Sequence, residues 1–371
     1  LHLLSRRQRQ MCIRDRLILG DGIVPVPVIQ GGMGVGVSRS RLAGAVAKEG
    51  GIGVISTAQI GYDEENFEKN PAECNRRAII KHIAQAKEIA GGNGLVGVNI
   101  MVALKHYRQH IETAVEAGAD VIICGAGLPA DLPGIAQNYA REHGKKIPKL
   151  MPIVSSARAA GIILKMWDHH YHTVPDCIIV EGPMAGGHLG FQESVLENIE
   201  NIDFDAILCG VIDSKKPYEE KYTKKIPVAA AGGIFDRQDI DHVLSLGADA
   251  VQIASRFVVT KECDASDAYK RAYIEAGKGN IQIVKSPVGM PGRAVRNAFI
   301  RQVEQHKQEI TGCYQCLEKC NPKEVPYCIT QALIHAVKGE LEQGLIFCGE
   351  NVSRIHEMTT VPELMRELTQ G

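Results

Sequence analysis

Eight short apolar runs recur along the chain, and each is closed by glycine or by a polar residue. They occupy residues 28–34, 52–56, 95–101, 121–124, 149–154, 177–181, 227–234 and 250–257. Near-continuous apolar runs of this length are what strands buried on both faces look like, and such strands belong to parallel sheets. Segments with helical periodicity separate most of them, over 39–48, 72–90, 105–117 and the alanine-rich stretch to Met166. Ser38 stands where it can cap the first of these helices.

Right-handed crossovers between parallel strands leave two architectures, a doubly wound sheet or a closed (β/α)8 barrel. The strand count is eight, and the span from Val28 to Phe257 is roughly 230 residues, near the usual barrel size. Glycine and polar residues gather after the runs rather than before them. The phrases Glu116-Ala117-Gly118-Ala119-Asp120 and Ser245-Leu246-Gly247-Ala248-Asp249 repeat one way of ending a helix and starting a strand. A doubly wound dinucleotide site would need Gly-x-Gly-x-x-Gly after the first strand, and Gly32-x-Gly34-x-Gly36 lacks that spacing. The expected fold is therefore α/β, a TIM (β/α)8 barrel over 17–260, with a charged insertion at 203–225 and a mainly helical C-terminal extension over 261–371. Residues 1–16 carry five arginines and no apolar stretch of the kind a secretory signal needs, so they read as a basic tail or an artefact.

A formal net charge of −1 speaks against nucleic acid or an anionic membrane as the main partner, and no apolar run approaches the ~18 residues of a membrane span. A small-molecule substrate and a cytoplasmic location are the expectations; oligomeric state is not legible. Of the eleven cysteines, Cys124, Cys177 and Cys209 fall in or beside predicted buried strands, where a thiol acts as a small hydrophobe.

The sixth run delivers Glu181 into the loop Gly182-Pro183-Met184-Ala185-Gly186-Gly187-His188-Leu189-Gly190. His188 is the histidine placed at a predicted strand end, whereas His169, His170 and His172 follow a helix and read as solvated. An imidazole there can act as a base near neutral pH. Gly232 and Gly233 after the seventh run, with Gln252, Ile253, Ala254 and Ser255 ending the eighth, suit a phosphate held by backbone N–H groups, and Arg256 can add charge. Asn99 and Gln30 sit at strand ends, where an amide can meet the mixed polar edge of a ring or be satisfied by loop backbone. No Gly-x-Ser-x-Gly elbow is present, which disfavours a hydrolase.

Six motifs stand in an order that resembles the nitronate monooxygenase family, formerly called 2-nitropropane dioxygenases. They are Gln30-Gly31-Gly32-Met33, Val98-Asn99-Ile100-Met101, Gly125-Ala126-Gly127-Leu128-Pro129, Ala185-Gly186-Gly187-His188-Leu189-Gly190, Ala230-Ala231-Gly232-Gly233-Ile234 and Gln252-Ile253-Ala254-Ser255-Arg256-Phe257. Pro287-Val288-Gly289-Met290-Pro291-Gly292-Arg293-Ala294 extends the match, which is also similar to FMN-dependent enoyl-acyl-carrier-protein reductases of the FabK type. The resemblance implies a TIM barrel that binds FMN non-covalently through the Gln30–Met33 motif, Asn99, Glu181, Gly186, Gly187, Gly232, Gly233 and residues 252–255. It places His188 over the reactive face as base or substrate contact. The chain departs from the family pattern at Glu181, where nitronate monooxygenases usually have Gln, and at Met184, where both groups usually have Glu. The resemblance implies oxidation of alkyl nitronates by dioxygen to a carbonyl compound and nitrite. Two alternatives stand beside it: NAD(P)H-driven enoyl reduction and a non-catalytic flavin-binding redox module.

Cys313-x2-Cys316-x3-Cys320-x7-Cys328 places four thiols within sixteen residues. Thiolates at such spacing suit zinc or an iron–sulfur cluster; the alternative is a reduced, cysteine-rich helical turn.

Overall fold

The computed structural model describes residues 16–370. All eight predicted runs form strands: β3 (Val28–Gln30), β4 (Ile52–Ser56), β5 (Leu95–Met101), β6 (Val121–Gly125), β7 (Lys149–Val154), β8 (Ile178–Glu181), β10 (Val228–Ala231) and β11 (Ala250–Ile253). They pair in parallel in the order β10-β11-β3-β4-β5-β6-β7-β8, and β8 pairs back to β10, so the barrel is closed.

A hairpin of β1 (Leu17–Leu19) and β2 (Gly22–Val24) precedes the barrel. Its Leu17, Leu19 and Val24 join Ile29, Ile52, Val121, Met151, Ile179 and Ala250 in one apolar cluster, which fills the barrel interior. Each large side chain buried there contributes about 1.5–3 kcal/mol relative to exposure.

The repeated phrase before the strands has a physical basis. Asp120, Asp176 and Asp249 each precede a strand and take the N–H of the preceding strand, from Val96, Leu150 and Val228, at 3.0, 2.8 and 2.9 Å. The backbone N–H groups of the same three aspartates return bonds to the carbonyls of those residues. Gly118 (φ +73°) and Gly247 (φ +105°) make the left-handed turn that brings the chain there.

Four expectations change. The first barrel helix is Ser40–Lys48, and Ser38 does not cap it, because its hydroxyl accepts the Met33 N–H at 2.8 Å. Residues 203–225 are not an insertion. They form helices Phe204–Ser214 and Lys216–Tyr222, and the first packs on helix Ala157–Tyr171 with Leu208 and Val211 in the core. This is the crossover between β8 and β10; Lys216, Lys221 and Lys225 are exposed on it, whereas Lys215 is buried and pairs with Glu219 at 2.8 Å. Cys209 lies half-buried on that helix rather than beside a strand.

The extension also carries an antiparallel ribbon beside its helices. The strands β12 (Ile281–Lys285) and β13 (Pro291–Val295) pair, and β13 pairs in turn with β9 (Gly187–His188), inside the loop that follows β8. The C-terminal helix Val361–Gln370 packs on helices Ser40–Lys48 and Arg237–Ser245, so the extension shares a core with the barrel. Residues 1–15 of the basic tail lie outside the described residues. No described helix is long and apolar enough to cross a membrane.

Candidate active site

The carboxyl ends of the barrel strands open into a cavity of about 240 Å³. Of the residues expected at the catalytic and cofactor site, all but Gln30 line it: Gly31, Gly32, Met33, Asn99, Glu181, Gly186, Gly187, His188, Gly232, Gly233, Gln252, Ile253, Ala254 and Ser255. Gln30 is fully buried, and its amide is spent on backbone. It accepts the Val54 N–H at 3.0 Å and donates to the Gly31 carbonyl at 2.5 Å. It joins β3 to β4 and does not line the cavity.

The polar groups that remain face the cavity without protein partners. Among the described residues no hydrogen bond involves the side chains of Asn99, Gln252 or Glu181. Asn99 is held in place through its carbonyl, which accepts the Thr57 N–H at 3.1 Å and the Thr57 hydroxyl at 3.2 Å. Burial pushes the Glu181 carboxyl up to about 8, so it is a neutral acid at neutral pH and can donate a proton in a hydrogen bond. The cavity therefore offers two amides and one protonated carboxyl at the ends of β5, β8 and β11.

The glycines admit a close neighbour. Gly232 and Gly233 adopt φ of +83° and +102°, in the left-handed region that side chains avoid. A Cβ on Gly32 would stand 2.4 Å from the Asn99 Cβ. Ser255 Oγ accepts the Gly349 N–H at 3.1 Å, which leaves its own O–H free to donate. Arg256 does not serve this end of the cavity: its guanidinium forks onto Glu367 at 2.7 and 3.0 Å and donates to the Phe235 carbonyl at 2.9 Å.

His188 is half-buried on β9, with Nε2 2.7 Å from Ser286 Oγ and its ring edge-on to Phe347, centroids 5.0 Å apart. Its burial holds the imidazole down at about 4, so it is neutral at pH 7. His169, His170 and His172 are solvent-exposed, as expected.

No sequence signal marks the strap at 347–351. It runs along β13: Cys348 N–H donates to the Arg293 carbonyl at 3.1 Å, and Ala294 bridges Phe347. It then crosses the cavity, where Asn351 Nδ2 donates to the Gly233 carbonyl at 2.7 Å. Arg293 is the fastener. It is 2% exposed, its Nε meets Glu350 at 2.9 Å, and Nη1 donates to the carbonyls of Pro183, at 2.8 Å, and Ala185. One guanidinium thus ties the ribbon, the loop after β8 and the strap together. The motif containing Arg293 was visible in the sequence, but its partner Glu350 lies 57 residues on, without a spacing signal.

A closed parallel barrel with a glycine-lined, polar-rimmed cavity at its carboxyl ends is the site of a barrel enzyme. The family model described as nitronate monooxygenase matches residues 19–371, and the chain belongs to that family. Membership makes it an oxidoreductase of the FMN type.

Among similar proteins, a Mycobacterium tuberculosis (3aS,4S,5R,7aS)-5-hydroxy-7a-methyl-1-oxo-octahydro-1H-indene-4-carboxyl-CoA dehydrogenase is 28% identical over 278 residues. That alignment covers 75% of this chain and only 65% of the relative. A Staphylococcus saprophyticus protein described as "Probable nitronate monooxygenase" is 23% identical, covering 77% of this chain and 80% of its own. Of solved structures, FabK from Thermotoga maritima has a TM-score of 0.68 at 24% identity, covering 93% of this chain and 91% of its own. Nitroalkane oxidase from Streptomyces ansochromogenes has a TM-score of 0.67 at 19% identity, covering 94% and 96%. Both share the barrel fold.

Proposed function

We propose that the protein is an FMN-dependent nitronate monooxygenase of the cytoplasm, converting alkyl nitronates and dioxygen to a carbonyl compound and nitrite. The reading rests on one juxtaposition: a neutral His188 beside a cavity whose amides and protonated carboxyl lack protein partners. The residues present fit FMN. Gly232, Gly233 and Ser255 would hold its phosphate, and Asn99, Gln252 and Glu181 would meet the polar edge of its ring. When bound, FMN supplies the electron-transfer chemistry. The chain's own part is to bind, to orient and to limit water through the strap at 347–351. His188, uncharged and held by Ser286, offers a hydrogen-bonding group to the substrate.

Acid release of the cofactor should yield FMN, not FAD, and the holoprotein should consume oxygen and form nitrite with a preformed nitronate. Recovery of FAD, or flavin-loaded protein inert toward nitronate, overturns this reading. A second reading is NAD(P)H-driven reduction of an unsaturated acyl thioester, supported by the CoA ester in the name of the M. tuberculosis relative. NAD(P)H oxidation dependent on an enoyl thioester, without nitronate turnover, would select it.

The fit also predicts the effect of Gly32→Ala. The added methyl would meet Asn99 Cβ at 2.4 Å and Val54 Cγ1 at 3.2 Å, so Asn99 must move. Overpacking of this kind costs about 1–3 kcal/mol. The variant should fold and bind FMN roughly tenfold more weakly or worse. A flavin-fluorescence titration showing unchanged affinity would remove Asn99 from the cofactor contacts.

A further inference from the structure

We propose that Cys313, Cys316, Cys320 and Cys328 hold a 4Fe–4S cluster in a second cavity, next to the barrel mouth. All four thiols line that cavity, whose volume is about 180 Å³. All four lie outside regular structure. Between helices Ala298–Gln305 and Ile329–Lys338 the chain runs through 306–328 without a helix or a strand of its own. A loop of that length inside a compact protein is uncommon without a function or something to organise it.

Its side-chain anchors are Leu317 and Tyr327, which are buried in the core, and Tyr314, which stacks on Phe67. Lys105 N–H donates to the Cys316 carbonyl and Glu318 N–H to the Ala103 carbonyl, both at 3.1 Å, which pins the middle of the loop to the turn after β5. The four thiols face one space. The Gln315 N–H points at Cys313 Sγ at 3.4 Å, with Gln315 itself in a left-handed turn of φ +50°. Amides directed at sulfur in this way suit a thiolate ligand. Cys328 stands at the N-cap of the ten-residue helix Ile329–Lys338.

The four thiols line one space without converging on a single point. Zinc would draw four sulfurs to about 2.3 Å from one point. Among the described residues no three His, Cys, Asp or Glu side chains are placed to hold one ion as they stand. Thiols spread around a cavity match a cluster, whose irons lie between the sulfurs and the centre. The site is close to the other. Ile329 lines the cysteine cavity and Leu333 lines the barrel-mouth cavity. They are four residues apart on one helix, a separation of roughly 6 Å along its axis.

The full chain, purified without air, should contain about four iron and about four acid-labile sulfide per chain. After dithionite reduction it should give a low-temperature EPR signal distinct from a flavin radical. Cys316→Ser and, separately, the exposed Cys313→Ser should each lose iron and that signal. Flavin retained in the variants shows that the barrel is folded. Zinc in place of iron overturns the proposal. So does protein that takes up neither iron nor sulfide on anaerobic reconstitution, or iron content that survives both substitutions.

Discussion

Replacing Arg293 with methionine should loosen the strap and release the flavin together. The guanidinium is 2% exposed, pairs with Glu350 at 2.9 Å, and donates to the carbonyls of Pro183 and Ala185. Methionine fills similar space but leaves two buried carbonyls unpaired and a carboxylate without its cation. Breaking one side of a buried pair costs about 3–5 kcal/mol. Glu350 keeps some contact with water, which puts the expected loss at the lower end of that range. Thermal unfolding of the apoprotein reads the first effect. Flavin retained after gel filtration reads the second, because the strap holds Ser255 through Gly349 and the Gly233 carbonyl through Asn351. Removing both charges, as in Arg293→Met with Glu350→Met, should recover part of the stability, since no isolated carboxylate remains. Arg293→Lys should recover little, because an ammonium cannot fork between a carboxylate and two carbonyls. A single Arg293→Met variant with unchanged melting and full flavin would mean that the strap is held by its backbone bonds alone.

Why the strap escaped sequence reading, while the barrel did not, is a matter of where the partners lie. Strands buried on both faces must be apolar along their whole length, so β3 to β8, β10 and β11 declare themselves locally. Glycines at their ends are equally local, since the close approach they permit is a property of the loop. Gln30 and Arg256 were misleading for the opposite reason. An amide or a guanidinium at a strand end can serve a ligand or the protein, and only the neighbours decide. Here Val54 on the next strand takes Gln30, and Glu367 on the last helix takes Arg256. His188 was legible as a residue at the mouth but not as a member of a strand. The two-residue β9 exists only because β13, about a hundred positions later, lies beside it. The same ribbon makes the pocket around the imidazole, and thus its low basicity.

His188→Asn should separate substrate positioning from proton abstraction. The imidazole is neutral at pH 7, and burial holds its proton affinity down at about 4. Efficient general bases have pKa values near the working pH, so a base this weak removes a carbon-bound proton poorly. The wild-type protein should therefore prefer a preformed nitronate, which has already lost that proton, over the neutral nitroalkane. The sign of the pH dependence follows from the same value. A histidine whose proton affinity is lowered on folding stays uncharged as pH falls through the ordinary range near 6.5, and it gains charge only near 4. The kcat/KM for nitronate should accordingly show no histidine step between pH 8 and about 5. In His188→Asn the residual nitroalkane activity should fall by about 100-fold if the ring is the base, the usual size of that contribution. Nitronate turnover should change far less, with FMN still bound. Equal loss on both substrates, appearing mainly in KM, would instead make His188 a positioning residue that holds substrate through its bond to Ser286. A clear titration near 6.5 in the wild-type nitronate profile would show that the imidazole is more basic in the working enzyme than its burial allows. Proton abstraction from nitroalkanes would then belong to the normal reaction.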